Sequence, residues 1–231
     1  MKKKLIFIGI ILTLILFTTI IIIQTIKVSQ KSNMFHEYHQ NKVNSFIEEN
    51  KTLKNVDVCF IGDSLTDGYD VKTFYDDLNV INRGIGGDRV KDVIYRLDNS
   101  VYETNSKVVV ILIGGNDVLA GHKESYIIES IIRIIYGVKT NLPNTKIIIQ
   151  SFYPLANDYA KHNLTMKRLN QTLKEICLAL DVVYADIYDS LLDTCTNELN
   201  LIYTPDSVHL NNDGYKIVTS ILRPIIDELL K

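Results

Sequence analysis

Only three cysteines occur in this chain, Cys59, Cys177 and Cys195, and none stands in a C-x-x-C pair. An odd number without that spacing indicates neither a disulfide framework nor a zinc site. Cys59 falls in a predicted buried strand and Cys177 on a predicted helix, where each reads as a small apolar residue, while Cys195 stays open to a bridge. With 4 prolines and 11 glycines there is no breaker bias. Low-complexity tracts and repeats of about 20 to 50 residues are also missing, which argues against a disordered chain or a solenoid. Basic clusters are confined to the first residues: the formal net charge of −2 becomes −5 once Lys2, Lys3 and Lys4 are set aside. Nucleic acid is therefore not an expected partner.

What is present is enough for one globular core and a short appendage: 231 residues, 46% hydrophobic and 23% charged. Residues 5–26 carry no charge and follow the three lysines. As a helix they would span about 33 Å, sufficient for a bilayer core. The run exceeds a signal-peptide core, ends without a small-residue cleavage site, and no cysteine precedes Cys59. The expected organisation is a cytoplasmic tip over 1–4, an uncleaved transmembrane signal anchor over 5–26, a partly amphipathic helical stalk over 27–54 and a globular domain over 55–231. The lysines would hold the N-terminus inside and place the domain extracytoplasmically, membrane-anchored, or secreted if the segment were cleaved.

Within the domain, apolar β-branched strands are expected over 56–61, 80–82, 107–113, 146–150 and 182–185, with helices near 88–99, 123–141, 164–180 and 212–230. Strands apolar on both faces belong in a parallel sheet covered on each side, so the expected fold class is α/β, a three-layer α/β/α sandwich. In such sheets the site lies beyond the carboxyl ends of the strands. There the chain places Asp63-Ser64, then Gly84-Ile85-Gly86-Gly87-Asp88, then Gly114-Gly115-Asn116-Asp117, and near its C-terminus Asp206-Ser207-Val208-His209.

Each segment alone has a plain reading as a helix cap or a tight turn. Together they supply what serine-mediated ester cleavage requires: a nucleophile, a base and donors aimed at the oxyanion. Ser64 is the candidate nucleophile, near a helix N-terminus; His209 the base; and Asp206 the residue that orients the ring. The oxyanion hole would combine Ser64, Gly87 and Asn116. The G-x-S-x-G elbow of ordinary α/β-hydrolases is absent, because Thr66 follows two residues after Ser64.

The four segments, GDSL at Ser64, NRGIGGD at Gly87, GGND at Asn116 and DSVH at Asp206 and His209, resemble the blocks of the GDSL, or SGNH, hydrolase family, in the same order over about residues 56 to 230. The resemblance implies a flavodoxin-like five-stranded parallel sheet, a Ser-His-Asp triad, and no metal or organic cofactor. It leaves the second-block donor to alignment between Gly84 and Gly87, with Gly87 preferred because it directly precedes Asp88. The GIGGD form of that block is similar to acetylhydrolases acting on short-chain esters.

The expected activity is hydrolysis of carboxylic esters with short acyl groups, such as acetyl esters or lysolipids, with a small-molecule or envelope ester as substrate. The same residues serve an O-acyltransferase acting on envelope glycans, and an inactive tethered binding module is a third alternative. Other polar residues are given lesser roles. His36 and His39 lack a third metal ligand. His122 and His162 read as solvated loop residues, Tyr153 and Pro154 as candidate pocket walls, and Asp63, Asp67, Asp88 and Asp117 as capping and loop-fixing carboxylates.

Overall fold

The structure, a computed structural model, describes the backbone of residues 2–231 and the side chains except those of residues 1–16, 31 and 32. It divides into two compact units, residues 1–44 and Ser45–Lys231. From Lys2 onward the first unit is helical, belonging to α1 (Lys2–Asn50), and its side chains over 17–30 are exposed. Among the described residues no helix is long and apolar enough to cross a membrane. The transmembrane span expected over 5–26 lies, in its first half, outside the residues whose side chains are described.

In the second unit strands and helices alternate: β1 (Val58–Gly62), α2 (Ser64–Asp67), α3 (Val71–Phe74), β2 (Val80–Gly84), α4 (Val90–Tyr95), α5 (Leu97–Ser100), β3 (Val108–Leu112), α6 (Gly115–Leu119), α7 (Glu124–Asn141), β4 (Lys146–Gln150), α8 (Asn163–Ala179), β5 (Val183–Ala185), a short pair β6 (Leu192–Asp193) and β7 (Glu198–Leu199), and α9 (Asn212–Leu229). The main sheet has the order β2-β1-β3-β4-β5 with every pairing parallel.

Period-two alternation along these strands divides the core between two faces. Cys59, Ile61, Val109 and Ile111 pack with Val93 of α4, Ile127 and Ile131 of α7 and Leu173 of α8. Val58, Phe60, Val108 and Val110 pack with Tyr69, Tyr75 and the α9 residues Val218, Leu222 and Ile226. The result is the expected three-layer sandwich. Because the chain goes from β1 outward to β2 and then returns past β1 to β3, the strand order reverses beside β1. That opens a crevice beyond the carboxyl ends of β1 and β3.

Two local differences from the sequence pattern bear on the site. The helix expected over 88–99 is two pieces, α4 and α5, broken at Arg96 (φ −112°, ψ 9°). Apolar periodicity continues across the break, so the pattern could not reveal it; the Arg96 side chain turns inward to bond strand carbonyls. The β6–β7 pair, antiparallel and two residues long on each side, was too short to leave an alternating signature.

Candidate active site

Ser64 follows β1 directly and opens α2. Asp63 caps this turn, its Oδ1 accepting the Leu65 N–H at 3.0 Å. Since α2 is only 4 residues long, the helix dipole expected to assist Ser64 reduces to a single turn of backbone. Burial drives the Asp63 carboxyl up to about 7, opposed by the Leu65 N–H, reinforced by the negative charge of Asp88, and partly offset by His209.

His209 arrives from the other end of the chain, on a loop whose backbone is tied at several points. Ser207 adopts φ 76°, a left-handed conformation uncommon for a serine. The turn is held by Thr204 Oγ1, which accepts the Ser207 N–H at 2.9 Å, and by Asn157 Nδ2, which donates to Ser207 Oγ at 2.7 Å. Asp206 Oδ1 accepts the backbone N–H groups of Val208 (3.1 Å) and His209 (2.8 Å). Its Oδ2 lies 2.6 Å from His209 Nδ1, and His209 Nε2 lies 2.9 Å from Ser64 Oγ.

The directions of these bonds follow from valence. Slight burial pushes the Asp206 carboxyl up, but bonds from the His209 ring and from the N–H groups of His209 and Val208 outweigh it and hold it below the ordinary value. An ionised carboxylate only accepts, so His209 Nδ1 carries the proton and Nε2 is left to accept the Ser64 hydroxyl. The His209 and Asp206 side chains remain 42% and 50% exposed, open to a substrate approaching from solvent.

The glycines of the second block separate by what their N–H groups do. Gly84 N–H donates to Asn82 Oδ1 (2.8 Å) and Gly86 N–H to Asp67 Oδ2 (3.1 Å). A Cβ on Gly84 would meet Asp67 N at 2.1 Å, so that glycine allows β2 and α2 to approach. Gly87 has φ 84°, and among the described residues its N–H has no protein acceptor. The Ser64 N–H is likewise uncommitted. Asn116 Nδ2 donates one hydrogen to Asp88 O at 3.0 Å, which anchors the amide beside Gly87 and leaves its second hydrogen available.

Next to Ser64 lies a small apolar cavity of about 30 Å³, lined by residues that include Leu119, Phe152, Tyr153, Leu155, Met166 and Val208 together with Asn116. Gly87 and Pro154 are not in its wall, whereas Tyr153 is, with its hydroxyl 2.5 Å from Gln150 Oε1. A larger depression of about 540 Å³, near Lys139, Lys146 and Asp181, holds none of these groups. Among the described residues no cluster of three or more His, Cys, Asp or Glu could hold a metal ion. His162 ends a short 3₁₀ turn (Asn157–His162) away from the cavity wall.

The family model of GDSL-like lipases and acylhydrolases matches residues 60–217, the stretch that carries β1 through the start of α9 and every candidate residue above. The chain belongs to this family. It is 29% identical over 183 residues to the human platelet-activating factor acetylhydrolase IB subunit alpha2, covering 77% of this chain and 79% of that one. It is 27% identical over 212 residues to the N-acylneuraminate cytidylyltransferase of Escherichia coli O18:K1:H7, covering 91% of this chain but spanning only 49% of that protein. Its fold matches a Streptococcus pneumoniae structure provisionally described as a platelet activating factor, with a TM-score of 0.82, 23% identity and coverage of 87% and 99%. This chain is thus an enzyme of the GDSL-like esterase and acylhydrolase type.

In this GDSL-like enzyme, several carboxylates assigned to loop fixing do more specific work. Asp117 is fully buried and bridges two segments, Oδ2 accepting the Val90 N–H at 2.9 Å and Oδ1 lying 2.8 Å from His122 Nδ1. His122 is therefore paired, not merely solvated, and stands edge-on to Tyr126. Asp88 is fully buried against Arg96. Arg83 and Arg96 were not singled out from sequence. A lone arginine within an apolar stretch was their one signal, and it does not tell a buried guanidinium from one reaching to solvent.

Proposed function

We propose that this enzyme hydrolyses carboxylic esters of short acyl groups through an acyl-Ser64 intermediate. The observation that carries the reading is the continuous chain from Ser64 Oγ through the His209 ring to the Asp206 carboxylate, at 2.9 and 2.6 Å. Ser64 Oγ attacks the ester carbonyl carbon as its proton passes to His209 Nε2, and Asp206 stabilises the imidazolium. The tetrahedral oxyanion is met by the N–H groups of Ser64 and Gly87 and the Asn116 amide. Collapse breaks the ester C–O bond, and the departing alcohol takes the proton from Nε2. Water, activated by the same nitrogen, then attacks the acyl-serine, releasing the acid and restoring Ser64.

The size of the cavity supports a short acyl group. A space of about 30 Å³ holds roughly two water-sized groups, which suits an acetyl better than a butyryl chain. Similarity to the acetylhydrolase subunit supports the same choice. The uncharged run over 5–26 behind three lysines supports a membrane-tethered enzyme working on esters at the extracytoplasmic face.

The test is steady-state hydrolysis of p-nitrophenyl acetate, butyrate and octanoate by the full-length chain in detergent, with Ser64→Ala as control. Turnover of acetate that disappears in the variant is the expected result. Equal turnover in both proteins, or a preference for octanoate, would overturn the proposal or its acyl-length part respectively.

A further inference from the structure

Behind the candidate oxyanion hole lies a buried guanidinium that touches the strand ends on which the site is built. Arg96, at the break between α4 and α5, is 2% exposed. Its Nη2 donates to Gly62 O at 3.0 Å, the carbonyl two residues before Ser64. Its Nη1 donates to Arg83 O at 2.8 Å, in the strand that runs into the glycine turn, and to Ser100 Oγ at 3.1 Å. Its Nε donates to Asp88 Oδ2 at 2.7 Å. Asp88 directly follows Gly87, and its own backbone oxygen accepts from Asn116 Nδ2.

One planar fork therefore fixes the end of β1, the end of β2 and, through Asp88, both the Gly87 turn and the Asn116 amide. Arginine suits this task because its donors have a fixed relative geometry, which the single ammonium of lysine cannot reproduce. Fold stability alone is a weak reason for such a pair, since well-packed apolar residues replace buried ion pairs at little or no cost in stability. What apolar residues cannot do is hold two strand carbonyls and the Asp88 carboxylate at hydrogen-bond distances. Misplacing a preorganised donor by a fraction of an ångström weakens its bond to the developing oxyanion more than any contact with the ground state.

We propose that Arg96 is the positioning residue of the oxyanion hole, setting the placement of the Gly87 N–H and the Asn116 amide relative to Ser64. The inference rests on the assignment of those three groups made above. A second brace acts in the same direction: the Asp117 carboxylate holds the Val90 N–H, three residues beyond Gly87. Arg83 forms the next layer outward. Its guanidinium lies 4.6 Å from the Phe46 ring centroid and bonds Glu49 and Asn50 at the end of α1.

The test compares wild type, Arg96→Lys and Arg96→Met, full-length, on p-nitrophenyl acetate, with endpoint fluorophosphonate labelling to count competent sites. Arg96→Lys keeps the charge and loses the fork, so kcat per labelled site is expected to fall about 10- to 100-fold with KM changed less than about 3-fold. Affinity for a trifluoromethyl ketone, which forms a tetrahedral oxyanion adduct on the serine, is expected to fall by a similar factor. Lysine that restores neither quantity relative to Arg96→Met supports a geometric role. A purely structural role would lower the labelled fraction and Tm while leaving kcat per labelled site at the wild-type value, and that result would overturn the proposal. Should Arg96→Met not fold, the kcat and ketone measurements on Arg96→Lys decide alone. Wild-type protein with no Ser64-dependent turnover would instead sink the parent assignment, and this one with it.

Discussion

Asp206 and His209 are joined twice through one carboxylate: Oδ1 accepts the backbone N–H of His209 at 2.8 Å while Oδ2 faces its ring Nδ1 at 2.6 Å. The same group shapes the turn and selects the tautomer. Asp206→Asn keeps an oxygen for the backbone but offers no carboxylate to Nδ1–H or to the imidazolium. The expected result is a fall in kcat of about 10³- to 10⁴-fold with Tm nearly unchanged. Asp206→Ala should add a loss of Tm, because two backbone N–H groups lose their acceptor. A kcat for Asp206→Asn within tenfold of wild type would remove Asp206 from the triad.

Asn116 reaches the site through a single backbone anchor, Asp88 O. Asn116→Ala removes the proposed oxyanion donor without touching Ser64 or His209, so kcat should fall about 10²- to 10³-fold while KM stays near the wild-type value. A rise in KM with kcat unchanged would show that the amide binds substrate and transition state alike.

Leu119 and Met166 close the cavity beside Ser64. Truncating Met166 to alanine removes three heavy atoms from that wall. The ratio of kcat/KM for butyrate over acetate should then rise about tenfold or more, since each accommodated methylene is worth about 1 to 3 kcal/mol. An unchanged ratio would mean the acyl group sits elsewhere.

Asp63 and Asp206 respond to pH in opposite directions. Burial raises Asp63 from 3.8 to about 7, so its folded form prefers the proton. Its contribution is most favourable below the unfolded value and is lost as pH rises towards 7, by an amount on the order of a few kcal/mol. Asp206 is held below its ordinary value, so its contribution is present above that value and lost as pH falls through the folded one; being half-exposed, it should be the smaller effect. Asp63→Asn keeps the cap to Leu65 and should flatten the decline in Tm between about pH 4 and 7. A variant whose Tm follows pH as the wild type does would show that Asp63 is ionised throughout.

The succession of strands and helices along the chain, the three-layer class and the four reactive segments are written in the chain itself. Short-range rules govern them: a short β-branched run such as Val108–Leu112 reads as a buried strand, and in a parallel sheet the reactive side chains lie beyond the carboxyl ends of such strands. Between Gly84 and Gly87 the chain offered only a preference for Gly87, from its place before Asp88; Gly84 ends β2 and Gly87 lies in the turn beyond it. The choice depends on which N–H finds an acceptor, Asn82 Oδ1 for Gly84 and none for Gly87 among the described residues. The meeting of Ser64 with His209, 145 residues away, and the inward turn of Arg96 likewise arise from packing. Sequence determines which groups are available and on which element each lies. Only the tertiary structure decides which of them lose water together, and that shared burial is what pushes Asp63 upward and brings Arg96, Asp88 and Gly62 into one network.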